Sequence, residues 1–405
     1  MSHGLGLESG WEKTGPGGHL PGPSPCPVAG VFVTEPNQGE LRTDPSADPM
    51  ARALQLARRA NYGTSPNPMV GAVLVRAGVV VGEGHHSRAG SAHAEVVALD
   101  QAGPLARGAT LWVTLEPCCI TGRTGPCTER ILAAGVAEVR VATLDPNPEV
   151  NGRGVALLRA AGLRVEVGER EEEARALIRE FGHWVRTGIP LVTLKFAMSL
   201  DGKVATVGGD SQWITSDLGR ARGHQLRAQH DAIMVGSGTV LADDPELTAR
   251  NGDEGGRQPL RVVVDGRLRT PSDAKVLRSA GGAVVVATTG DPDAGRRRAL
   301  EQAGAEILVL PADEGKVSLP ALLQRLGERE ITSLLVEGGP TLLGSFLAQR
   351  LGNRIAAFVA PILLGGAGAP GPFGGPGAAT LDQSWRAEGL QAEVVGPDLL
   401  LTAEV

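Results

Sequence analysis

From about residue 48 onward, apolar residues recur in two alternating rhythms, short runs suited to strands and three-to-four-spaced runs suited to helices. Asp48 before Pro49 is a helix start, and 50–60 read as a helix. Residues 70–75 and 79–82 read as strands joined across Arg76, Ala77 and Gly78 in a hairpin. A helix over 93–101 and a strand over 110–115 follow, then a helix over 128–134 closed by Gly135. A strand over 136–143, a helix over 152–161 ending at Gly162, and a strand over 164–167 complete the series. Such alternation predicts an α/β/α layered domain. A charged amphipathic helix over 169–185 leads to Pro190, the expected boundary. The alternation then restarts, with strands expected over 191–199, 232–235, 260–265, 283–288, 306–310, 333–337 and 354–360. Helices fit 216–230, 293–303, 319–325 and 341–349, which makes a second α/β domain with its own sheet.

Residues 1–47 carry Gly, Pro, Ser and Thr without a sustained apolar period. They read as a disordered extension or a mis-assigned start, with Met50 an older initiator. The expected organisation is therefore extension 1–47, first domain 48–189 and second domain 190–405. A length of 405 residues agrees with two cores. Aromatic residues are only 3% of the chain, so those cores rest on Ala, Val and Leu. A net charge of −6 argues against a general nucleic-acid binder, while leaving room for a local basic pocket for one phosphate. No stretch of 18 apolar residues and no secretory signal is visible, so no membrane span and a cytoplasmic location are expected.

Chemistry enters with the cysteines. Cys118, Cys119 and Cys127 lie within ten residues, and Cys26 stands apart in the extension. Clustering of this kind points to metal or catalysis rather than to a disulfide framework. His93-Ala94-Glu95 opens one helix, Glu116-Pro117-Cys118-Cys119 follows a strand, and Pro126-Cys127 precedes another helix. One imidazole and two thiolates suit Zn²⁺ and leave a fourth position for water, whose pKa the metal lowers. Helix N-termini favour the thiolates. Glu95, two residues from the His, can reach that water without binding the metal and carry its proton to departing ammonia. This H-x-E…P-C arrangement marks zinc deaminases of nucleobases, although the cysteines here are nine apart rather than three. A closed structural site with Cys119 as fourth ligand is the alternative. Asn67, in Pro66-Asn67-Pro68, can meet a pyrimidine edge or serve as a plain turn residue. Of His85 and His86 one is expected at the substrate, with a solvated loop as the other reading.

In the second half no G-x-G-x-x-G follows a strand. Glu337-Gly338-Gly339-Pro340-Thr341 instead runs from a strand into a helix start, which suits a phosphate or a plain turn. Ser199-Leu200-Asp201-Gly202-Lys203, Ser211-Gln212-Trp213 and Gly238-Thr239-Val240-Leu241-Ala242-Asp243-Asp244-Pro245 all come after strand ends, where α/β sheets bind ligands. Arg227 and Arg250 can pair with a substrate phosphate or be surface charge.

Together these strings resemble the bifunctional riboflavin-biosynthesis enzymes, a pyrimidine deaminase joined to a pyrimidine reductase. Asn67-Pro68-x-Val70-Gly71, His93-Ala94-Glu95, Thr114-Leu115-Glu116-Pro117-Cys118, Gly122-Arg123-Thr124-x-Pro126-Cys127 and Asp145-Pro146-Asn147-Pro148 carry the likeness. The wide cysteine spacing is similar to that family's own. The resemblance implies a cytidine-deaminase-like α/β/α zinc domain followed by a dihydrofolate-reductase-like α/β domain. Zn²⁺ is implied at His93, Cys118 and Cys127, with Glu95 catalytic and Asn67 and His86 at the substrate. NADPH is implied on Ala197, Trp213, Thr239, Asp243, Gly339, Pro340, Thr341, Leu342, Leu343, Gly344 and Ser345. Lys195, Ser211, Arg227, Arg250 and Glu337 are implied near a phosphoribosylaminopyrimidine. A loop His of the family is replaced here by Ile120, which touches substrate binding rather than the metal set. A homodimer or tetramer is expected, since a reductase sheet edge in such folds often pairs. Three other readings stand beside this one. They are a reductase with an impaired deaminase half, a deaminase of nucleic-acid bases, and a non-catalytic zinc- or NADPH-binding protein. The acidic balance opposes the second, and Glu95 opposes the third.

Overall fold

The computed structural model describes residues 48–120, 125–250 and 257–405, with the backbone of the two-residue strand Val33–Thr34. The rest of the expected extension 1–47, Cys26 included, and the loop residues 121–124 lie outside the described residues. Among the described residues no helix is long and apolar enough to cross a membrane.

The first sheet has five strands, β1 (Gly71–Arg76), β2 (Val79–His85), β3 (Thr110–Leu115), β4 (Glu138–Thr143) and β5 (Arg164–Val167). Their order is β2-β1-β3-β4-β5, antiparallel at β2-β1-β3 and parallel from β3 to β5. Helix α1 (Pro49–Arg58) begins at Asp48, whose Oδ1 accepts from the Ala51 amide at 2.8 Å, as the Asp-Pro start predicts. Helices α2 (Ala94–Ala102), α3 (Cys127–Ala134) and α4 (Arg153–Ala160) complete the layers. The core between them is Ala, Val and Leu, including Ala72, Leu74, Ala98, Leu111, Val113 and Val139. Small residues let α2 lie directly on strand backbone. A Cβ at Gly84 would stand 2.3 Å from the Ala94 carbonyl, so only glycine permits this approach.

The expected single helix over 169–185 is two helices, α5 (Glu171–Leu177) and α6 (Arg179–Thr187), broken at buried Ile178. The break has a packing reason. α5 lies against β4 of the first sheet, whereas α6 turns toward the second, and one straight helix cannot serve both surfaces.

The second sheet begins at β6 (Leu191–Ser199) and continues through β7 (Ala232–Gly236), β8 (Leu260–Val264), β9 (Val284–Thr289) and β10 (Ala305–Leu310). β11 (Ser333–Val336), β12 (Arg354–Ala360) and a C-terminal hairpin of β13 (Glu388–Val395) and β14 (Asp398–Glu404) complete it. The order is β13-β14-β12-β6-β11-β7-β8-β9-β10, and Val33–Thr34 runs parallel to β13 at the edge. β6 to β12 are parallel, and the hairpin is antiparallel. Helices α7 (Asp217–Ala228), α8 (Ser237–Asp243), α9 (Lys275–Arg278), α10 (Ala294–Gln302), α11 (Leu319–Gly327) and α12 (Pro340–Ala348) cover the faces. β11 returns between β6 and β7, so the strand order reverses there, and the strand ends at such a switch point are where sheets of this kind take ligands.

Contacts join the halves. The Asp231 carboxylate, at the start of β7, accepts from the Ser65 hydroxyl at 2.9 Å and from the Thr332 amide and hydroxyl at 2.7 Å each. Arg257 pairs with the same carboxylate and donates to the Tyr62 carbonyl at 2.7 Å.

Candidate active sites

His93 precedes α2, Cys118 follows β3, and Cys127 is the first residue of α3, so three separate elements bring these groups together. His93 Nδ1, Cys118 Sγ and Cys127 Sγ all lie within 4.8 Å of one another. Nδ1 is 3.1 Å from the Cys127 sulfur and 3.6 Å from that of Cys118. The Cys127 amide, at the N-terminus of α3, donates to the Cys118 sulfur at 3.3 Å. Donation from the Cys127 thiol, against burial and aided by His93, brings the Cys118 thiol down to about 4. Cys127 is raised, because its proton is held by Cys118 in a buried place. Two thiols sharing one proton beside an imidazole form a soft donor set that a divalent cation can complete, so these residues fit zinc. Cys119 is not in the cluster, and a four-ligand closed site therefore has no support from the geometry. Glu95 is buried, and burial raises its carboxyl.

A second layer holds Cys118 in place. The Glu116 carboxylate accepts from the amides of Asp145 at 3.1 Å, Gly152 at 2.8 Å and Val155 at 3.0 Å. α4 thereby clamps the turn that carries the cysteine. A Cβ on Gly154 would come within 2.1 Å of the Pro117 carbonyl. Gly154→Ala is therefore expected to shift Cys118 and weaken zinc retention by about tenfold, as loss of outer-shell support typically does. Metal content after dialysis against a graded chelator measures this, with NADPH-dependent reduction as the unaffected control.

Asn67 and His86 lie in the same cavity, of about 310 Å³. His86 Nδ1 is 3.1 Å from the Ala92 carbonyl and so carries the hydrogen. Its Nε2 then accepts from Asn67 Nδ2 at 3.1 Å, so His86 orients Asn67. Burial lowers the His86 pKa, which keeps the ring neutral. Ile120 also lines the cavity. The sequence reading missed Asp145, Asn147, Phe181, Trp184 and Glu330, which line it too. The first two stand in the quoted Asp145-Pro146-Asn147-Pro148 string, whereas no local signal marks the other three.

In the second half, Glu337 leaves the end of β11 and meets Arg227 from α7. Nε and Nη2 reach its two oxygens at 2.8 and 2.9 Å. Lys195 Nζ, from β6, is 3.6 Å from the same carboxylate and lies over the Phe358 ring. Burial pushes Glu337 up, but Arg227 and Lys195 outweigh it and hold the carboxyl at about 2. Arg227 Nη1 donates to the Thr248 carbonyl at 3.1 Å, so its guanidinium is already committed to protein acceptors. Ala197, on β6 two residues past Lys195, is half-buried against the apolar cluster of Leu226, Leu335 and Phe358. Thr239 Oγ1 accepts from the Gly339 amide at 2.8 Å, and the Ser211 hydroxyl donates to Asp243 at 3.3 Å. Trp213 is 69% exposed and carries Arg220 over its ring. Arg250 is exposed and pairs with Glu246, apart from the Glu337 cluster.

The run from Gly339 to Ser345 divides. Leu342 and Leu343 have their side chains in the core, and their amides already bond the Gly339 carbonyl at 3.0 and 3.1 Å. Gly344 is explained by packing, since a Cβ there would lie 1.9 Å from the Gly374 carbonyl. Gly339, Pro340 and Thr341 remain exposed or half-buried at the helix start, and Ser345 is half-buried further along the helix.

Comparison with known proteins agrees with both halves. Residues 190–401 match the model of the RibD C-terminal domain, and 45–143 match that of the cytidine and deoxycytidylate deaminase zinc-binding region. Riboflavin biosynthesis protein RibD of Aquifex aeolicus is 43% identical over 352 residues, 87% of this chain and 96% of that one. Its counterpart in Bacillus amyloliquefaciens is 42% identical over 354 residues, 87% and 95% respectively. The solved structure of Acinetobacter baumannii RibD superposes with a TM-score of 0.79 at 38% identity, covering 88% of this chain and 97% of that one. Two separate sheets, each with its own cluster of reactive groups, and relatives that align over both halves lead to one conclusion: the chain belongs to the RibD family, the bifunctional deaminase/reductases of riboflavin biosynthesis.

Proposed function

We propose that the first half deaminates 2,5-diamino-6-(5-phosphoribosylamino)pyrimidin-4(3H)-one and that the second reduces the ribosyl group of the product to ribityl with NADPH. The observation that carries the first step is one imidazole and two thiols within 4.8 Å, with the carboxyl of Glu95 beside them. His93, Cys118 and Cys127 would hold the zinc, which would supply the Lewis acidity that makes water nucleophilic near neutral pH. Glu95 takes a proton from that water and delivers it to the departing amine, so water and the amino-bearing carbon become a carbonyl and ammonia. Asn67, held by His86, offers its amide to the polar edge of the pyrimidine. His86 acts through Asn67 rather than as a second base, since both ring nitrogens are engaged.

In the second half, bound NADPH would supply the hydride for C1′ of the opened ribose. The protein's part is placement. Ala197, Trp213, Thr239, Asp243 and the turn from Gly339 through Ser345 are assigned to the nucleotide, with Leu342 and Leu343 acting as core supports of that turn. Lys195, Ser211 and Arg250 are assigned to the phosphoribosyl chain, and Arg227 to holding Glu337 ionised beside it. The halves comprise residues 48–189 and 190–405.

The test uses one zinc-loaded preparation. Ammonia release from the diaminopyrimidinone and NADPH oxidation with the deaminated intermediate are both expected. Chelation should abolish the first and spare the second. Zinc retention without ammonia release would leave a reductase alone and assign the defect to Ile120.

A further inference from the structure

Asn67 lines the deaminase cavity, yet the segment that carries it is tied to the reductase half. The Thr64 carbonyl accepts from the Asn67 amide at 2.9 Å and closes a turn over 64–67. Pro66 and Pro68 flank Asn67, and their rings restrict the backbone on both sides of it. A displacement at Ser65 is therefore passed on to Asn67 rather than absorbed. Two tethers hold this segment from across the junction. The Ser65 hydroxyl donates to the Asp231 carboxylate at 2.9 Å, and Arg257 Nη1 donates to the Tyr62 carbonyl at 2.7 Å. Arg257 also pairs with Asp231, so both tethers meet at one carboxylate.

Asp231 is itself firmly set. It directly precedes β7, and its Oδ2 accepts from the amide and hydroxyl of Thr332, which directly precedes β11. The carboxylate thus bridges the starts of two neighbouring strands of the second sheet. Bridging those strands accounts for Thr332 but not for Ser65 and Tyr62. Burial pushes the Asp231 carboxyl up, but Arg257 and the Thr332 and Ser65 hydroxyls outweigh it and hold it below its ordinary value. An ion pair with one member only 2% exposed gives little net stability, since desolvation offsets the attraction. What it gives here is direction, because several donors converge on fixed oxygens. The space left between Thr64, Ser65 and Asn67 on one side and Asp231, Arg257 and Thr332 on the other is about 30 Å³. That is room for water and not for a substrate, so these contacts hold the turn rather than a bound molecule.

We infer that Asp231, in the reductase half, is a positioning residue of the deaminase. Through Ser65, and through Arg257 and Tyr62, it sets the turn that presents Asn67 to the pyrimidine. His86 fixes the rotation of the Asn67 amide, and Asp231 fixes where that amide stands. The inference rests on the deaminase assignment and on the role of Asn67 proposed above.

The test uses the full zinc-loaded chain with Asn67→Ala, Ser65→Ala, Asp231→Asn and the double variant Asn67→Ala/Ser65→Ala. Ammonia release from the diaminopyrimidinone gives KM and kcat, and NADPH oxidation with the deaminated intermediate is the control. Asn67→Ala should raise the deaminase KM about tenfold, the worth of one hydrogen bond. Ser65→Ala and Asp231→Asn should each raise it about three- to tenfold and leave kcat near wild type. Asp231→Asn strands no buried charge, because Arg257 is 31% exposed and can be hydrated. In the Asn67→Ala background Ser65→Ala should cost nothing further, which a general loosening of the junction would not reproduce. Ser65→Thr, which keeps the hydroxyl, should match wild type, and the reductase KM of Ser65→Ala should not change. A wild-type deaminase KM in Ser65→Ala or in Asp231→Asn, with Asn67→Ala impaired, overturns the inference alone. So does a further loss in the double variant. If Asp231→Asn does not fold, Ser65→Ala and the double variant decide. Asn67→Ala at the wild-type KM removes the role of Asn67, and a wild type that releases no ammonia removes the deaminase assignment. Either result takes this inference with it.

Discussion

Glu95→Gln is expected to lower the rate of ammonia release by about 10²- to 10⁴-fold, the usual contribution of a positioned acid–base group. Gln keeps the size and polarity of the side chain, but it cannot accept and return a proton. The zinc content should stay at wild-type level, because His93, Cys118 and Cys127 are the residues that converge on the metal position. NADPH oxidation with the deaminated intermediate should also stay unchanged, since that site is built on the second sheet. Parallel measurement of ammonia, metal and NADPH separates these effects. Ammonia release within a few-fold of wild type would remove Glu95 from the mechanism, and loss of zinc would make it a structural group.

Glu337→Leu should be the most damaging change in the second half. The carboxylate is the shared partner of Arg227 and Lys195, whose side chains are only 18% and 19% exposed. Removing it strands two cations in a poorly solvated place, a loss of about 3–5 kcal/mol. The denaturant midpoint should fall accordingly, and reduction should fail. Adding Arg227→Met should restore part of the stability without restoring reduction, because it removes one of the two stranded cations. The pH dependence follows from the depressed carboxyl. Glu337 moves from an ordinary 4.5 to about 2 in the folded chain. Its stabilising contribution is thus fully present above 4.5 and fades as pH falls from there toward 2. Unfolding of wild type and Glu337→Leu at a series of pH values through that window should show the gap between them closing. A constant gap would mean that the ion pair is not its source.

Much of the scaffold was legible in the residues. Strands β3, β5, β6 and β12 have the ends that periodicity predicts, because Val, Leu and Ala runs there end at polar or glycine-rich turns. The convergence of His93, Cys118 and Cys127 was legible because each member stands in a short motif with a chemical reason for its residue type. The C-terminal hairpin was not anticipated, since much of β13 is exposed and shows weak alternation. Its tight turn at Gly396, φ +62°, followed by Pro397 was the available cue. Asp398 in that hairpin accepts from the Ser216 amide at 2.9 Å and so fixes the start of α7, 182 residues away. No local pattern announces such a partner. The break at Ile178 was hidden for a similar reason. Either helix segment is amphipathic, and only the second surface tells the chain to turn.

The sequence by itself determined the two α/β halves, the His93-Cys118-Cys127 donor set with Glu95, and the polar turns at strand ends. Those properties depend on local periodicity and on residue chemistry, which a linear string carries. The tertiary structure decided which of those turns meet. It paired Arg227 with Glu337, placed the Leu342 and Leu343 side chains in the core, and paired Arg250 with Glu246. Burial and long-range pairing arise only when distant segments pack, and at each of these positions they decide whether a polar or apolar group faces a ligand or the protein itself.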